Sequence, residues 1–205
     1  VYNTIDAFEE ASGDRIQYRP DGGESKGAEF FLKRDTGGDF TWWLSYSYSS
    51  AKDIFVYTDV PKSFDQTHTA DFNLNYRPND KWRFNFAWLF HTGWPYTNAT
   101  ISYAEEYIPG LEQYVYRMPE INLEPYNESR FPAYHRMDIR ITRNYKFEYS
   151  NLGVYIEFIN VYNRQNIRCR EYAINFPDAY TVPSIVNVDH YWLRFLPSIG
   201  IVWER

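Results

Sequence analysis

Cysteine is almost absent: Cys169 stands alone in 205 residues, so no internal disulfide staples the fold. Positive charge is also scarce, 21 Lys and Arg against 27 Asp and Glu, for a net −6 at pH 7. That balance argues against nucleic acid, because no basic surplus is there to neutralise phosphates. No apolar run approaches the ~18 residues of a membrane-spanning helix. The opening Val1-Tyr2-Asn3-Thr4 has no signal-peptide character. Gly (10) and Pro (11) are unexceptional. The missing helix excludes one way of crossing a bilayer and leaves the other, a barrel of alternating strands.

Aromatic residues are abundant: 7 Trp, 20 Tyr and 15 Phe. The chain is polar on average although 44% of it is hydrophobic. Two environments suit such a chain. One is a soluble β-protein with a sugar- or peptide-binding face. The other is a membrane barrel whose polar inner wall offsets its apolar outer wall.

Alternation with period two runs through most of the chain, and a helix would scatter these residues around its axis. His68, Ala70, Phe72, Leu74 and Tyr76 alternate with Thr67, Thr69, Asp71, Asn73, Asn75 and Arg77. Trp82, Phe84, Phe86, Trp88 and Phe90 alternate with Arg83, Asn85, Ala87, Leu89 and His91. Phe40, Trp42, Leu44, Tyr46 and Tyr48 alternate with Thr41, Trp43, Ser45, Ser47 and Ser49. Met137, Ile139, Ile141 and Tyr145 alternate with Arg136, Asp138, Arg140, Thr142 and Asn144. Weaker runs cover Ser25–Arg34, Asn151–Phe158 and Tyr191–Trp203, which makes seven expected strands. Several exceed the ~5–6 residues usual in soluble proteins and match the ~9–11 of a tilted spanning strand. Trp, Phe and Tyr near strand ends fit aromatic girdles at two water–lipid boundaries.

The connections alternate in length. Asp35-Thr36-Gly37-Gly38, Pro78-Asn79-Asp80-Lys81 and Phe147-Glu148-Tyr149-Ser150 have turn chemistry, and between them lie long links at 51–65, 93–130 and 164–189. Short periplasmic turns and long external loops give this pattern. Residues 1–23 are expected to hold the end of one more strand and a loop, with Asp21-Gly22-Gly23 its turn. The fold class expected is therefore all-β, an antiparallel transmembrane β-barrel segment of about seven strands and a partial one.

Ordered motifs along nearly the whole chain carry a resemblance. They include Glu24-Ser25-Lys26-Gly27-Ala28-Glu29-Phe30, Trp42-Trp43-Leu44-Ser45-Tyr46-Ser47-Tyr48-Ser49 and Tyr76-Arg77-Pro78-Asn79-Asp80-Lys81-Trp82. Downstream come Gly93-Trp94-Pro95-Tyr96-Thr97, Pro132-Ala133-Tyr134-His135-Arg136-Met137-Asp138, Asn160-Val161-Tyr162-Asn163-Arg164-Gln165-Asn166 and Leu196-Pro197-Ser198-Ile199-Gly200-Ile201-Val202-Trp203-Glu204. The series resembles the carboxy-terminal part of the barrel of TonB-dependent outer-membrane receptors. The resemblance implies one unit over residues 1–205, part of a barrel of ~22 strands around a plug. It implies import of an iron chelate, cobalamin, sugar or peptide, with energy from an inner-membrane complex. The plug and the segment that engages TonB have no counterpart here, and the final Trp203-Glu204-Arg205 departs from the terminal aromatic usual in the family. Upstream strands and a plug are expected to precede Val1.

Residue roles follow as expectations. Trp42, Leu44, Tyr46, Tyr48, Phe72, Leu74, Trp82, Phe84, Phe86, Trp88, Met137, Ile139, Ile141, Val154 and Ile156 are expected to face lipid. Asp71, Asn73, Arg83, Asn85, Asp138, Arg140 and Glu157 are expected to face the lumen, the acids bonding to Arg77, Arg83, Arg136 and Arg140. Trp94, Tyr96, Tyr103, Tyr107, Tyr114 and Tyr116, in the longest link with Glu105, Glu106 and Glu112, are the candidate ligand contacts; a self-packed loop, or one touching lipopolysaccharide, is the alternative. His68, His91, His135 and His190 share no metal-ligand spacing, no carboxylate pair suggests acid–base work, and Cys169 between Arg168 and Arg170 reads as an incidental loop thiol. No cofactor and no enzymatic activity are expected. The expected partners are outer-membrane lipid, lipopolysaccharide, the nutrient and TonB. Two alternatives stay open, a complete eight-stranded barrel for anchoring or adhesion and a soluble aromatic-rich binding module.

Overall fold

The computed structural model describes residues 20–35 and 37–204. Among them every regular element is a strand: β1 (Gly22–Arg34), β2 (Phe40–Ile54), β3 (Asp59–Pro61), β4 (His68–Asn79), β5 (Trp82–His91), β6 (Pro95–Tyr96), β7 (Ala99–Ile108), β8 (Gln113–Leu123), β9 (Ser129–Arg130), β10 (Tyr134–Lys146), β11 (Asn151–Ile159), β12 (Ile167–Asn175), β13 (Ser184–Tyr191) and β14 (Leu196–Glu204). The main sheet runs β1-β2-β4-β5-β10-β11-β14 with β3 added beside β2. All its pairs are antiparallel.

Seven alternating runs become seven long strands, as the periodicity requires. Tight turns join β1 to β2, β4 to β5 and β10 to β11, so they all lie at one end of the sheet; the three long links lie at the other. The turn after β4 is built by Asn79, whose side-chain oxygen accepts from the Lys81 and Trp82 amides at 3.0 Å each. A bulge between Tyr76 and Asn79 accommodates Pro78, which has no N–H for the ladder.

Several expected boundaries are corrected. Gly22 and Gly23 are not a turn: they open β1, paired with Ile54 and Asp53. Residues 51–54 prolong β2 instead of opening a loop. The run Tyr191–Trp203 is broken, because Tyr191 ends β13 and β14 starts only at Leu196. The link over 93–130 folds into the β7–β8 ribbon above a short β6–β9 rung, and the link over 164–189 into the β12–β13 ribbon. Backbone N–H and C=O groups take hydrogen-bond partners, and local hairpins supply them without involving the sheet. The sheet does not close: β1 and β14 are its edges, each with one neighbour among the described residues. The strand end expected within residues 1–19 lies outside the described residues.

Candidate functional site

Register puts the two halves of each alternation on opposite faces. Leu32, Leu44, Phe72 and Trp88 are linked by direct cross-strand pairing, as are Phe86 and Ile139, Ile141 and Ile156, and Val154 and Ile201. Trp42, Leu74 and Phe84 fall on the same face. This face is uncovered: Ile199 is 73% and Trp203 64% exposed. Aromatic side chains gather toward both ends of the strands. Phe40 stacks on Tyr76 at 4.3 Å at the turn end, and Trp88 lies 5.9 Å from Phe90 at the link end. Leu44, Leu74, Ile139, Ile141, Val154 and Ile156 fill the band between. His68 and Tyr76, like Trp82 and Phe90, are eight positions apart, or ~27 Å along a strand.

The opposite face is polar and concave. Thr41 of β2 and Glu204 of β14, with four strands between them, line one hollow of about 840 Å³. A flat sheet would hold them ~24 Å apart, so the sheet curls toward this side. Asn85 donates to Asn75, which donates to Thr41, at 3.1 Å each. Arg140 meets Glu157 at 3.0 Å, and its guanidinium lies 4.3 Å from the Tyr155 ring. Arg136 meets Asp138 at 3.0 Å. Asp71 and Arg83 share this face but form no ion pair among the described residues.

Three clamps organise the link end. Asp65, only 4% exposed as a side chain, pairs with Arg130 and accepts the Ala51 amide at 2.6 Å; Arg130 also donates to the Gly93 carbonyl at 3.1 Å. Gly93 must be glycine, since a Cβ there would stand 1.6 Å from the Phe131 carbonyl oxygen. Asn160, fully buried with φ 54°, takes the backbone around a corner after β11. Its amide donates to Asp138, its side chain donates to the carbonyls of Arg164 (2.8 Å) and Leu193 (3.2 Å), and its Oδ1 accepts from the Arg164 amide (3.0 Å). Asn166 bridges back to the His135 backbone. In the third clamp Arg170 grips Asp189 at 2.6 and 3.0 Å and donates to the Tyr96 hydroxyl at 3.1 Å, while Tyr172 donates to the Thr97 carbonyl at 2.9 Å. The Arg170 hydrogen bonds hold the Asp189 carboxyl below the usual carboxylate range. Burial pushes the Tyr172 phenol up.

These clamps divide the six candidate ligand contacts. Tyr103 meets Tyr116 edge-on at 5.5 Å and Tyr107 lies 5.1 Å from Tyr114, so four of them pair with each other along the β7–β8 ribbon. Glu106 there pairs with Arg117 at 3.3 Å. Tyr96 stacks on Phe131 at 4.2 Å at the ribbon base. Trp94 alone joins a different group. His91 stacks on Tyr134 at 4.7 Å, Trp94 lies 4.9 Å from His91, and Trp192 meets Trp94 edge-on at 6.2 Å. His91 and Tyr134 are a cross-strand pair on the polar face, so this platform starts at the link-end rim of the hollow side. Arg168 lies 5.8 Å from the Trp192 ring and Arg194 lies 5.9 Å from Tyr191. His91, Tyr134, Trp192 and Arg168 had no sequence signal as a group, being 101 positions apart at the extremes (192 − 91).

Among the described residues no cluster of His, Cys, Asp and Glu could hold a metal ion. The histidines go to separate partners: His68 to Tyr46 and His135 to Tyr162 at 2.8 Å, His190 to Glu171 at 3.2 Å, and His91 to the platform. Cys169 lies within β12 opposite His190 as a free, half-buried thiol, and not in an irregular loop. No protein-family model matches the chain, and no curated protein and no solved structure matches it either.

Proposed function

We propose that this chain forms part of the wall of an outer-membrane receptor of the TonB-dependent kind. Such a receptor captures a scarce nutrient (an iron chelate, cobalamin, sugar or peptide) and imports it. In this reading the apolar face meets lipid, the polar concave face lines the lumen, the tight turns point to the periplasm and the ribbons stand at the outer mouth. The free edges of β1 and β14 pair with further strands, because unpaired backbone in hydrocarbon costs several kcal/mol per group. The plug and the TonB-contacting segment belong to other parts of the receptor.

The single observation that carries the reading is the two-faced sheet: an uncovered apolar band framed by aromatic rows, backed by a concave polar face. A spacing of ~27 Å along strands tilted by ~40° gives a band of ~21 Å, close to the ~25 Å apolar belt of such barrels. Among the described residues β1 and β14 do not pair with each other, and the pairing that would complete an eight-stranded barrel, Val1–Phe8 with Leu196–Trp203, involves residues outside them.

Single cysteines in a Cys169→Ser background test the facing. In the membrane fraction, Cys at Leu74, Phe86 or Ile141 should resist a water-soluble maleimide, and a dye coupled there should be quenched by brominated lipid. Cys at Asn73, Asn85 or Thr142 should label with maleimide. Uniform labelling, or recovery of the protein from the aqueous fraction, would refute the membrane reading. Import is tested by deleting the gene and following uptake of each nutrient class with and without a protonophore. Unchanged, protonophore-insensitive uptake of every class would count against the receptor.

A further inference from the structure

We infer that the platform formed by His91, Tyr134, Trp94 and Trp192 is a binding site for an anionic small molecule that carries a flat ring. This rests on the receptor reading and names the chemical class its mouth selects. Three observations lead to it.

The first is the geometry of the rings. His91 and Tyr134 stack with an interplanar angle of 4°, Trp94 leans on His91 at 34°, and Trp192 closes on Trp94 at 61°. His91, Trp94 and Tyr134 are each half-buried, so the group is not a sealed core. Trp192 remains 40% exposed, so it keeps area free for a ligand ring. Flat-ring stacking on aromatic side chains tolerates many ring types, which suits capture more than catalysis.

The second is charge. Arg168 and Arg194 are both exposed and neither forms an ion pair among the described residues, although the chain carries a net −6. The neighbouring Arg170 is paired with Asp189. Two guanidinium groups resting on Trp192 and Tyr191 keep their N–H donors available for carboxylate, sulfonate or phosphate oxygens. Glu105, Glu106 and Glu112 lie on the β7–β8 ribbon, where Glu106 is paired with Arg117.

The third is rigidity. Trp192 donates its amide to the Asn166 carbonyl at 2.9 Å, Leu193 is held by Asn160, and Phe195 donates to Asn163 at 3.0 Å. Trp94 accepts the Phe131 amide at 3.0 Å, beside the Gly93–Phe131 contact that only glycine allows. Both tryptophans are thus mounted on the clamps of the link end, and a preorganised surface loses less entropy on binding.

Titration of the protein, purified from its own membrane in nonionic detergent, uses three probes followed by tryptophan fluorescence and saturation-transfer NMR. A naphthalene trisulfonate supplies ring and charge, citrate charge alone, and phenyl glucoside a neutral ring. The trisulfonate should bind at least about tenfold tighter than either other probe. Arg168→Gln with Arg194→Gln should lower its affinity about tenfold and flatten its salt dependence, and Trp192→Leu should lower it by a similar factor without changing the salt slope. Lys26→Gln, on the edge strand β1, should leave it unchanged and serves as the folding and charge control. Equal binding of phenyl glucoside and trisulfonate, or full affinity in the double arginine variant, would overturn the inference. Cysteine labelling reports separately on the membrane, so failed labelling with intact trisulfonate binding would remove the receptor and keep the site. Normal labelling with no trisulfonate binding would do the reverse.

Discussion

Tyr155 lies across Gly200 on the polar face, so closely that a Cβ at 200 would stand 2.3 Å from the phenol oxygen. The ring also carries Arg140, whose guanidinium sits 4.3 Å from its centroid and reaches Glu157 at 3.0 Å. One glycine on β14 thus sets an aromatic ring on β11, which in turn sets a charge on β10. Gly200→Ala should displace Tyr155 and loosen the Arg140–Glu157 pair, at about 1–3 kcal/mol. Tyr155→Ala should relieve the clash, so the double variant should cost clearly less than the sum of the two singles. Denaturant unfolding in detergent reads this; strict additivity would show the two side chains to be independent.

Gly93 offers a harsher case, because the obstacle is backbone and cannot rotate away. Gly93→Ala should separate 93–94 from 131–132 and release the base of the β7–β8 ribbon, at no less than about 3 kcal/mol locally. Limited proteolysis should then cut within 99–123 far faster than in the parent, while the main sheet stays intact. Equal cutting rates would refute the close approach.

Asn160 has no exposed surface and makes five hydrogen bonds, two through its backbone and three through its side chain. Asn160→Ala removes the three made by its side chain and also disfavours the positive φ, for an expected loss of about 3 kcal/mol. Asn160→Asp keeps the acceptor and loses two donors, so it should be only partly disruptive. Hydrogen exchange of the amides at 192–195 reports the outcome, the faster exchange following Ala more than Asp.

The Asp189 carboxyl titrates below its ordinary range because Arg170 donates to it. A depressed folded value means that its stabilisation is fully present above the unfolded value of ~3.9 and is lost as pH falls through the folded one. The β12–β13 ribbon should therefore keep its contact with Tyr96 between pH 5 and 8 and let go only below about pH 4. In Asp189→Asn that acid-dependent step should vanish. A ¹⁹F label on β13 follows the release, and a midpoint near neutrality would contradict the assignment.

Ile139 sits amid the apolar band and Thr142 on the opposite face. With lipid on the apolar side, Ile139→Arg should cost about 2–4 kcal/mol on refolding into vesicles, and Thr142→Arg within about 0.5 kcal/mol of nothing. Equal penalties would argue for similar surroundings on both faces.

Much of this was legible in the chain before any coordinates. Period-two alternation is a property of consecutive residues, and each strand keeps its apolar side chains together whatever its neighbours do. Phe84, Phe86 and Trp88 had to share a face once the backbone was extended, and Pro78-Asn79-Asp80-Lys81 had to turn. What the sequence could not show depends on which distant strands meet. The described residues hold fourteen strands where alternation predicts seven, because the long links satisfy their own backbone largely as ribbons, through weak and irregular alternation such as Ala99–Ile108. The sequence names Tyr103, Tyr107, Tyr114 and Tyr116 as candidates in one link, but only the hairpin register shows that they pair with one another there. Trp94 met Trp192 only because Asn160 and Gly93 bring two corners together. Cross-strand register and corner geometry are long-range, entropically costly contacts that no local pattern encodes; they decided where the platform stands, while local alternation decided which side of the sheet it could stand on.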